Sequence, residues 1–379
     1  MYYFTARQSP RYHQMSIEDL LFGENSKKFQ ASGDTTSTVT YERESIRQEL
    51  VGTVNVNALT RSLEQFNERW GHLREVNRHD LYTTFYIPKK TRGMRKISAP
   101  KQELMTALRD LKDVFESRFH AMYHASAFAY IKGRSTIDCV KKHQSNESRW
   151  FAKLDLHNFF GSTTSDFVME MLSMIFPFSE VMKTDNGRSE LELALELAFL
   201  DGGLPQGTPV SPLITNVMMI PIDFKLSNSF RDFKNQRFVY TRYADDFIIS
   251  SRYHFDVREV ENEIKRVLSS FDAPFTVNEQ KTRYGSSSGS NWNLGVMLNK
   301  DNTITVGAKN KRRFAAMISN YARDKKSGIQ WPLEDIQAMQ GLYSYYKMVE
   351  GETINSIVSR EARRAGIDIL REMKQDLRA

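Results

Sequence analysis

Two adjacent aspartates interrupt the apolar stretch Phe238-Val239-Tyr240-Thr241-Arg242-Tyr243-Ala244-Asp245-Asp246-Phe247-Ile248-Ile249. Both flanks are rich in β-branched and aromatic residues, so the pattern predicts two strands. Because aspartate is disfavoured in strands, we expect Asp245 and Asp246 at the tight turn of a β-hairpin. Neighbouring carboxylates repel each other, and a hard divalent cation such as Mg²⁺ removes that repulsion. The hairpin therefore suits two-metal phosphoryl transfer, although a solvated acidic turn explains an isolated Asp-Asp pair more simply.

A third acidic residue closes another apolar run, Phe151-Ala152-Lys153-Leu154-Asp155-Leu156. The run predicts a buried strand, and a carboxylate at its end would be held rigidly at the end of a sheet. Asp155 is therefore a candidate third ligand of the metal site. A turn or a helix N-cap is the alternative role for an aspartate at such a position.

Composition limits the class of protein. The chain has 379 residues, of which 40% are hydrophobic and 12% aromatic, so it can build one large domain or two to three modest ones. It contains no run of about 18 apolar residues, and its first residues lack a signal-peptide pattern, so we expect no membrane segment. The single cysteine, Cys139, excludes an internal disulfide and a cysteine-based zinc site. A reducing, cytoplasmic setting is the default expectation.

Positive charge is concentrated near the C-terminus. The net charge is +7, and residues 305–379 contain 14 Lys or Arg against 9 Asp or Glu. This balance is consistent with a nucleic-acid partner. A helical bundle with ordinary solvated charges would show the same excess.

Strand and helix patterns alternate through the middle of the chain, and helical patterns dominate from Lys309 onward. A helix over 211–224 is predicted after the loop Gly202-Gly203-Leu204-Pro205-Gln206-Gly207, with Pro212 in its first turn, where proline is tolerated. This order predicts an α+β fold with a helical tail. We divide the chain into an N-terminal extension over 1–80, a core over 81–290 and a C-terminal part over 291–379.

Taken in order from about Tyr82 to Lys281, the motifs resemble those of a prokaryotic reverse transcriptase. The run from Phe151 to Phe160 resembles the first catalytic motif of that family, and Tyr243-Ala244-Asp245-Asp246 resembles its Tyr-x-Asp-Asp box. The resemblance implies a right-hand polymerase fold with fingers, palm and helical thumb. It also implies that Asp155 and Asp245 bind two Mg²⁺ ions, for which Mn²⁺ can substitute. Asp246 would support the site electrostatically and as a weaker ligand.

The stretch Leu204-Pro205-Gln206-Gly207-Thr208-Pro209-Val210-Ser211-Pro212-Leu213 is similar to the Leu-Pro-Gln-Gly motif of the family. By this match Gln206 hydrogen-bonds the template or the nucleotide, and Gly207 lets the backbone approach a base pair closely. A plain Pro-Gly loop before a helix is the alternative.

The segment Ile87-Pro88-Lys89-Lys90-Thr91-Arg92-Gly93-Met94-Arg95 resembles the fingers hairpin, where a lysine and an arginine hold the incoming triphosphate. Arg95 can bind phosphate in a bidentate manner, and lysine acts as a point charge. Either Lys89 or Lys90 could be that lysine.

Two further positions concern the nucleotide. Lys281, in Val277-Asn278-Glu279-Gln280-Lys281-Thr282, resembles the lysine that protonates the leaving pyrophosphate, and a surface lysine at a strand end is the alternative. Phe160 stands five residues after Asp155, at the sugar-gate position, where a bulky ring clashes with a ribose 2′-hydroxyl. Palm RNA polymerases usually carry an aspartate there. Of Phe159 and Phe160, one would be a core residue.

The segment Phe128-Ala129-Tyr130-Ile131-Lys132-Gly133-Arg134-Ser135 resembles one shared by group II intron and retron enzymes. His143 and Gly295 match single positions of two further retron motifs. We expect no maturase, endonuclease or integrase segment after the thumb. These features favour a retron-like enzyme or another bacterial anti-phage reverse transcriptase.

The C-terminal part resembles a thumb. Its basic cluster, Lys311, Arg312 and Arg313, would contact backbone phosphates. Tyr343 and Tyr346 share one helical face, so they either stack on the nucleic acid or belong to a core.

The resemblance as a whole implies a bacterial cytoplasmic RNA-directed DNA polymerase that copies a structured non-coding RNA. Its partners would be that RNA, dNTPs, the DNA product and the RNA–DNA duplex, with an effector protein or a second polymerase subunit as further candidates. A group II intron-derived reverse transcriptase without accessory domains, a nucleic-acid-binding scaffold and an RNA-dependent RNA polymerase of the palm class are the alternatives.

Overall fold

The computed structural model describes residues 56–89, 93–118, 123–233, 236–287, 292–293 and 295–378. Lys90, Leu294 and the first 55 residues, which make up most of the proposed N-terminal extension, lie outside these ranges. The strands are β1 Tyr82–Pro88, β2 Met94–Pro100, β3 Trp150–Asp155, β4 Val239–Tyr243, β5 Asp246–Ser251, β6 Arg283–Ser286, β7 Trp292–Asn293, β8 Val296–Leu298 and β9 Ile304–Thr305.

Helices account for most of the remaining described residues. They are α1 Val56–Trp70, α2 Gln102–Arg118, α3 Thr136–Ser145, α4 Phe159–Ser162, α5 Ser165–Leu172, α6 Phe178–Val181, α7 Asp185–Glu196, α8 Ser211–Met218, α9 Ile220–Asp232, α10 Val257–Ser270, α11 Ala308–Lys326, α12 Leu333–Ala365 and α13 Ile369–Asp376. Short 3₁₀ turns cover Gly71–Arg74, Arg78–Leu81 and Glu279–Lys281.

The predicted helix over 211–224 is two helices. The first, α8, ends at Met218, and α9 begins at Ile220 with Pro221 in its first turn. Proline lacks the N–H group that would continue the preceding helix, so that helix ends and a new helix begins there. Helix α9 packs against β4 of the sheet described next, and its Ile222 and Leu226 are buried.

A central antiparallel sheet has the strand order β4-β5-β3-β6. One face carries Ala152 and Leu154 of β3, which are buried in the main hydrophobic cluster together with residues of the surrounding helices. The opposite face carries Lys153 and Asp155, because side chains alternate along a strand. This second face is packed at Phe151 and Ile248, which belong to another buried cluster, and it presents charged side chains at the end that carries Lys153 and Asp155.

Helix α1 belongs to the same core as the sheet. Its buried Leu59, Leu63 and Phe66 belong to the main cluster with Leu104 and Leu108 of α2. The apolar residues recur at the three- and four-residue spacing of an amphipathic helix, so one face of α1 is buried.

The C-terminal helices build a second core. Phe314, Ile318 and Tyr321 of α11 are buried in one cluster with Ile336 and Met339 of α12. Within the ranges that the structure describes, no helix is both long and apolar enough to span a membrane. The α+β organisation with a helical tail matches the prediction from sequence.

Candidate active site

Strands β4 and β5 form the predicted hairpin, whose turn is Ala244-Asp245. Ala244 adopts the left-handed conformation with φ of 57°, which is characteristic of tight hairpin turns. Asp246, the first residue of β5, lies opposite Asp155, the last residue of β3. The Leu156 amide also donates to the Asp245 carbonyl oxygen at 3.2 Å. The register therefore brings all three predicted carboxylates to one end of the sheet.

The environment of Asp245 disfavours its charged form. Burial, and after it the negative charges of Asp246 and Asp155, raise the pKa of Asp245 to about 6. Burial also raises the pKa of Asp246, although the nearby Lys153 ammonium opposes that shift. Crowded carboxylate oxygens in a poorly solvated place are a donor set that fits a hard divalent cation.

Two lysines contact these carboxylates. The Nζ atom of Lys281 lies 2.8 Å from Oδ2 of Asp155, and that of Lys153 lies 2.7 Å from Oδ2 of Asp246. Among the described residues, no three His, Cys, Asp or Glu side chains are arranged to hold one ion. Lys281 was predicted to protonate the leaving pyrophosphate, whereas Lys153 was not predicted as a site residue. Strand periodicity could have found it, because residues two apart face the same side.

A buried ion pair beneath the turn was also missed from sequence. Arg242 and Asp223, whose side chains are 1% and 0% exposed, form two parallel hydrogen bonds of 2.8 Å each. Asp223 also accepts from the Tyr240 hydroxyl at 2.7 Å. The Nη1 atom of Arg242 donates to Oδ1 of Asn216 at 3.1 Å and to the Ala244 carbonyl oxygen at 3.2 Å. The guanidinium thus ties the catalytic turn to helices α8 and α9.

Phe160 lies in helix α4, just beyond Asn158, whose φ of 47° turns the chain sharply after β3. Its ring is half-buried and packs edge-on against Phe159, with ring centroids 5.7 Å apart. Phe159 is buried and contacts Phe275 at a centroid distance of 5.0 Å. Of the two phenylalanines, Phe159 is therefore the core residue, and Phe160 is the one with an accessible surface.

The Leu-Pro-Gln-Gly loop docks onto strand β2. The Gln206 carbonyl oxygen accepts from the Ser98 amide at 2.9 Å, and the Gln206 side chain is half-buried. Gly207 has φ of 117°, and a Cβ atom on it would lie 3.0 Å from Cγ2 of Ile97 and 3.1 Å from the Ser98 carbonyl oxygen. Glycine is thus favoured at position 207 by both backbone conformation and close contact.

The β1–β2 hairpin carries exposed cations near its turn. Lys89 and Arg95 are both exposed, while Lys90 lies outside the described residues. Burial and the Asp245 charge raise the pKa of the Tyr130 phenol, and Arg95 acts in the opposite direction. Tyr130 therefore lies within electrostatic range of both the hairpin and the catalytic turn.

The three C-terminal cations occupy different environments. Lys311 is half-buried, and its Nζ atom donates to Oε1 of Glu350 at 3.0 Å. Glu350 marks a kink within α12, with φ of −140° and ψ of 60°, so the ion pair links α11 to this kink. Arg312 and Arg313 are exposed.

The tyrosines of α12 pack inside the C-terminal core. Tyr346 is 9% exposed and packs edge-on against Phe314, and Tyr343 lies parallel to Phe314 with centroids 6.5 Å apart. Both rings are therefore part of the core, which was the alternative considered from sequence.

His143 is fully buried and contacts the hydroxyl groups of two neighbouring residues. Its Nδ1 and Nε2 atoms lie 2.6 Å and 2.8 Å from the hydroxyl oxygens of Ser250 and Thr241. Burial lowers the pKa of His143 to about 3, so the ring is neutral near pH 7 and joins α3 to the central sheet.

Comparison with known proteins identifies the family of the chain. The family model of reverse transcriptases, described as RNA-dependent DNA polymerases, matches residues 87–314. The chain is 27% identical to the retron Ec83 reverse transcriptase of Escherichia coli, over 71% of this chain and 83% of that protein. It is 29% identical to the retron Mx65 reverse transcriptase of Myxococcus xanthus, over 76% of this chain and 65% of that protein. Among solved structures, apo telomerase from Candida tropicalis is similar with 12% identity and a TM-score of 0.45, over 78% of this chain and 62% of that chain.

The family match covers more than half of the chain and includes Asp155, Asp245 and Asp246. It confirms the right-hand polymerase fold that the sequence motifs imply. The similarity to retron enzymes confirms the retron-like resemblance. The chain therefore belongs to the reverse transcriptase family and is a retron-like RNA-directed DNA polymerase, which depends on divalent metal and binds an RNA template.

Proposed function

We propose that this polymerase uses two Mg²⁺ ions, held by Asp155 and Asp245 with Asp246 as a weaker ligand, to copy a structured non-coding RNA from dNTPs. The observation that carries the proposal is the register of the palm sheet, which sets Asp155 opposite Asp246 at the hairpin turn. Mn²⁺ would substitute for Mg²⁺, because both are hard cations that accept oxygen ligands.

When bound, the metal ions would activate the primer 3′-hydroxyl and neutralise charge on the phosphates. Lys281 now contacts Asp155 with a side chain that is 58% exposed, so it is free to move toward a leaving group. We assign to it the protonation of pyrophosphate. Lys153 holds Asp246 in place from the neighbouring strand.

The fingers would bind the triphosphate. Arg95 suits bidentate contact with phosphate, and Lys89 or Lys90 supplies a second positive charge. Exposure of Lys89 and Arg95 on the hairpin supports this assignment. Gln206 and Gly207 would lie against the template or the nucleotide from the palm side, on the loop that contacts β2.

The thumb would bind the RNA–DNA duplex through exposed Arg312 and Arg313. Lys311 would act mainly by fixing the kink at Glu350, since its ammonium group is already paired. We propose residues 81–290 as fingers and palm, and residues 291–379 as thumb.

The biological role we propose is bacterial anti-phage defence in the cytoplasm, with a dedicated non-coding RNA as template. Similarity to retron reverse transcriptases from two bacterial species supports it. An effector protein or a second polymerase subunit is the further partner expected in such a system.

Primer extension tests the polymerase proposal. Purified protein should extend a DNA primer on an RNA template with dNTPs in Mg²⁺, and EDTA should stop the reaction. Extension with NTPs in preference to dNTPs would identify an RNA polymerase instead. Binding of RNA without any extension would identify a scaffold.

Replacement of Phe160 by alanine should weaken sugar discrimination. We expect the ratio of kcat/KM for dNTP over NTP to fall by about 100-fold, because removal of the ring relieves a clash worth about 3 kcal/mol. Single-nucleotide extension with matched dNTP and NTP measures this ratio. Phe159→Ala is unsuitable as a control because Phe159 is buried; Phe85→Ala, on an exposed fingers position, is the matched variant.

The stability of the metal-free protein should fall as pH rises through 6. The folded-state pKa of Asp245 is about 6, above its ordinary value of 3.8, so the folded state binds this proton more tightly than the unfolded chain does. The stabilisation is fully present below pH 3.8 and is lost above the folded pKa. Between pH 5 and 7.5 the loss should be about 1.4 kcal/mol.

Urea unfolding in EDTA at several pH values measures this effect. In Asp245→Asn the side chain at this position cannot ionise. The free energy of unfolding of the variant should therefore increase relative to that of the wild type as pH rises. A pH-independent difference would show that Asp245 titrates normally.

A further inference from the structure

A tight turn over Leu200-Asp201-Gly202-Gly203 precedes the Leu-Pro-Gln-Gly loop. The Leu200 amide donates to the Gly203 carbonyl oxygen at 2.9 Å, and the Gly203 amide donates back to Leu200 at 3.1 Å. Asp201 and Gly202 have φ values of 55° and 78°, which is the pattern of a type I′ turn. Since both backbone polar groups of Gly203 are bound, its position is fixed by the turn.

Gly203 lies against the backbone of Gly161. A Cβ atom built on Gly203 would lie 2.2 Å from the Gly161 carbonyl oxygen, 2.7 Å from its carbonyl carbon and 2.9 Å from its Cα atom. All three neighbours are backbone atoms, so no side-chain rotation could relieve the clash. Gly203 itself lies outside the left-handed region, so alanine would be excluded here by contact and not by conformation.

The residue before Gly161 is Phe160, and the same loop holds its backbone. The Leu204 amide donates to the Phe160 carbonyl oxygen at 2.9 Å, and the Thr163 amide donates to the same oxygen at 3.2 Å. Leu204 therefore hydrogen-bonds the peptide between Phe160 and Gly161, and Gly203 lies against the next peptide, between Gly161 and Ser162. Any movement of Gly161 away from the turn would carry Phe160 with it.

We propose that Gly203 is a positioning residue for nucleotide selection, because its missing side chain lets the turn support Gly161 and fix the ring of Phe160. The proposal rests on the assignment of Phe160 as the sugar gate. It extends the set of specificity-determining residues to a glycine on a different segment of the palm. A methyl group on Gly203 would lie 2.2 Å from the Gly161 carbonyl oxygen, so Gly161 and the turn would have to separate by roughly 1 Å, next to the residue assigned as the sugar gate.

Single-nucleotide extension with a matched dNTP and NTP tests the proposal. Gly203→Ala should lower the dNTP/NTP ratio of kcat/KM by about tenfold, since misplacement of a selecting group by less than 1 Å has effects of this order. The ratio is independent of the fraction of folded enzyme, so partial unfolding does not mimic the effect. Gly285→Ala is the matched control, because a Cβ atom there meets nothing within 4 Å, and its ratio should equal that of the wild type.

The outcomes separate this inference from the gate assignment. If Phe160→Ala changes the ratio and Gly203→Ala slows both nucleotides equally, Gly203 is merely structural and the inference is wrong. If Phe160→Ala leaves the ratio unchanged, the gate assignment fails and the inference fails with it. Should Gly203→Ala not fold, Gly202→Val serves instead, because it strains the turn at an exposed position with open space around it. Unchanged discrimination in Gly202→Val would then overturn the proposal.

Discussion

Asp245→Asn should lower DNA synthesis by at least about 1,000-fold. The substitution removes one negative charge and one oxygen atom that we propose as a metal ligand, at the end of the sheet where Asp155 and Asp246 also lie. Loss of several kcal/mol of transition-state stabilisation corresponds to a rate effect of this size. Primer extension at saturating dNTP and template measures the loss.

The variant should remain folded, because removal of a buried, crowded negative charge does not destabilise the metal-free protein. Thermal unfolding in EDTA and RNA binding by filter retention check this. Asp256→Asn is the matched control, since Asp256 is an exposed aspartate that caps helix α10 and asparagine caps equally well. If Asp245→Asn extended the primer at a rate near that of Asp256→Asn, Asp245 would not be a catalytic residue.

Arg242→Met should destabilise the protein by about 3 to 5 kcal/mol. The substitution leaves Asp223 buried without its guanidinium partner, and a buried unpaired charge is far more costly than a lost surface ion pair. The free energy of unfolding from urea titration measures this cost. Arg266→Met is the comparison, because the Arg266–Glu263 pair has an arginine that is 59% exposed and should contribute at most about 1 kcal/mol.

A double variant separates charge from packing. Arg242→Met with Asp223→Leu removes both charges, so it should recover much of the stability lost in the single variant. It should not recover full activity, because the hydrogen bond from Arg242 to the Ala244 carbonyl is still missing. Equal stability of the single variant and the wild type would show that the pair does not hold the turn.

The catalytic hairpin could be predicted because its signals are local. Apolar runs with an Asp-Asp pair between them specify two strands and a turn, and the strand that ends in Asp155 shows the same pattern. Their pairing in the sheet follows from the right-hand fold that the motifs imply. The roles of these residues in metal binding stay predictions.

Long-range contacts could not be predicted from the same signals. Asp223 looks like an ordinary polar residue on a helix, yet it is paired with Arg242, 19 positions later in the chain. The contact between Gly203 and Gly161 joins segments that share no sequence pattern. Such contacts depend on how separate elements pack, which periodicity does not report.

In the C-terminal helices, the number of basic residues in the sequence overstates the number of cations that are available to a nucleic acid. Lys311, Arg312 and Arg313 form one basic cluster in the sequence, but Lys311 is paired with Glu350 from another helix. Tyr343 and Tyr346 belong to the thumb core, as one of the two interpretations from sequence had it. Only the burial of each side chain distinguishes a stabilising cation from one that is available to a phosphate.

Anomalous scattering from Mn²⁺ tests the central claim most directly. Crystals of the protein with a primed RNA template and a non-hydrolysable dNTP analogue, grown in Mn²⁺, should show two anomalous peaks, both within coordinating distance of Asp155 and Asp245. Crystals of Asp245→Asn grown in the same way should lose at least one peak. A wild-type complex with the nucleotide bound and no peak between Asp155 and Asp245 would contradict the account.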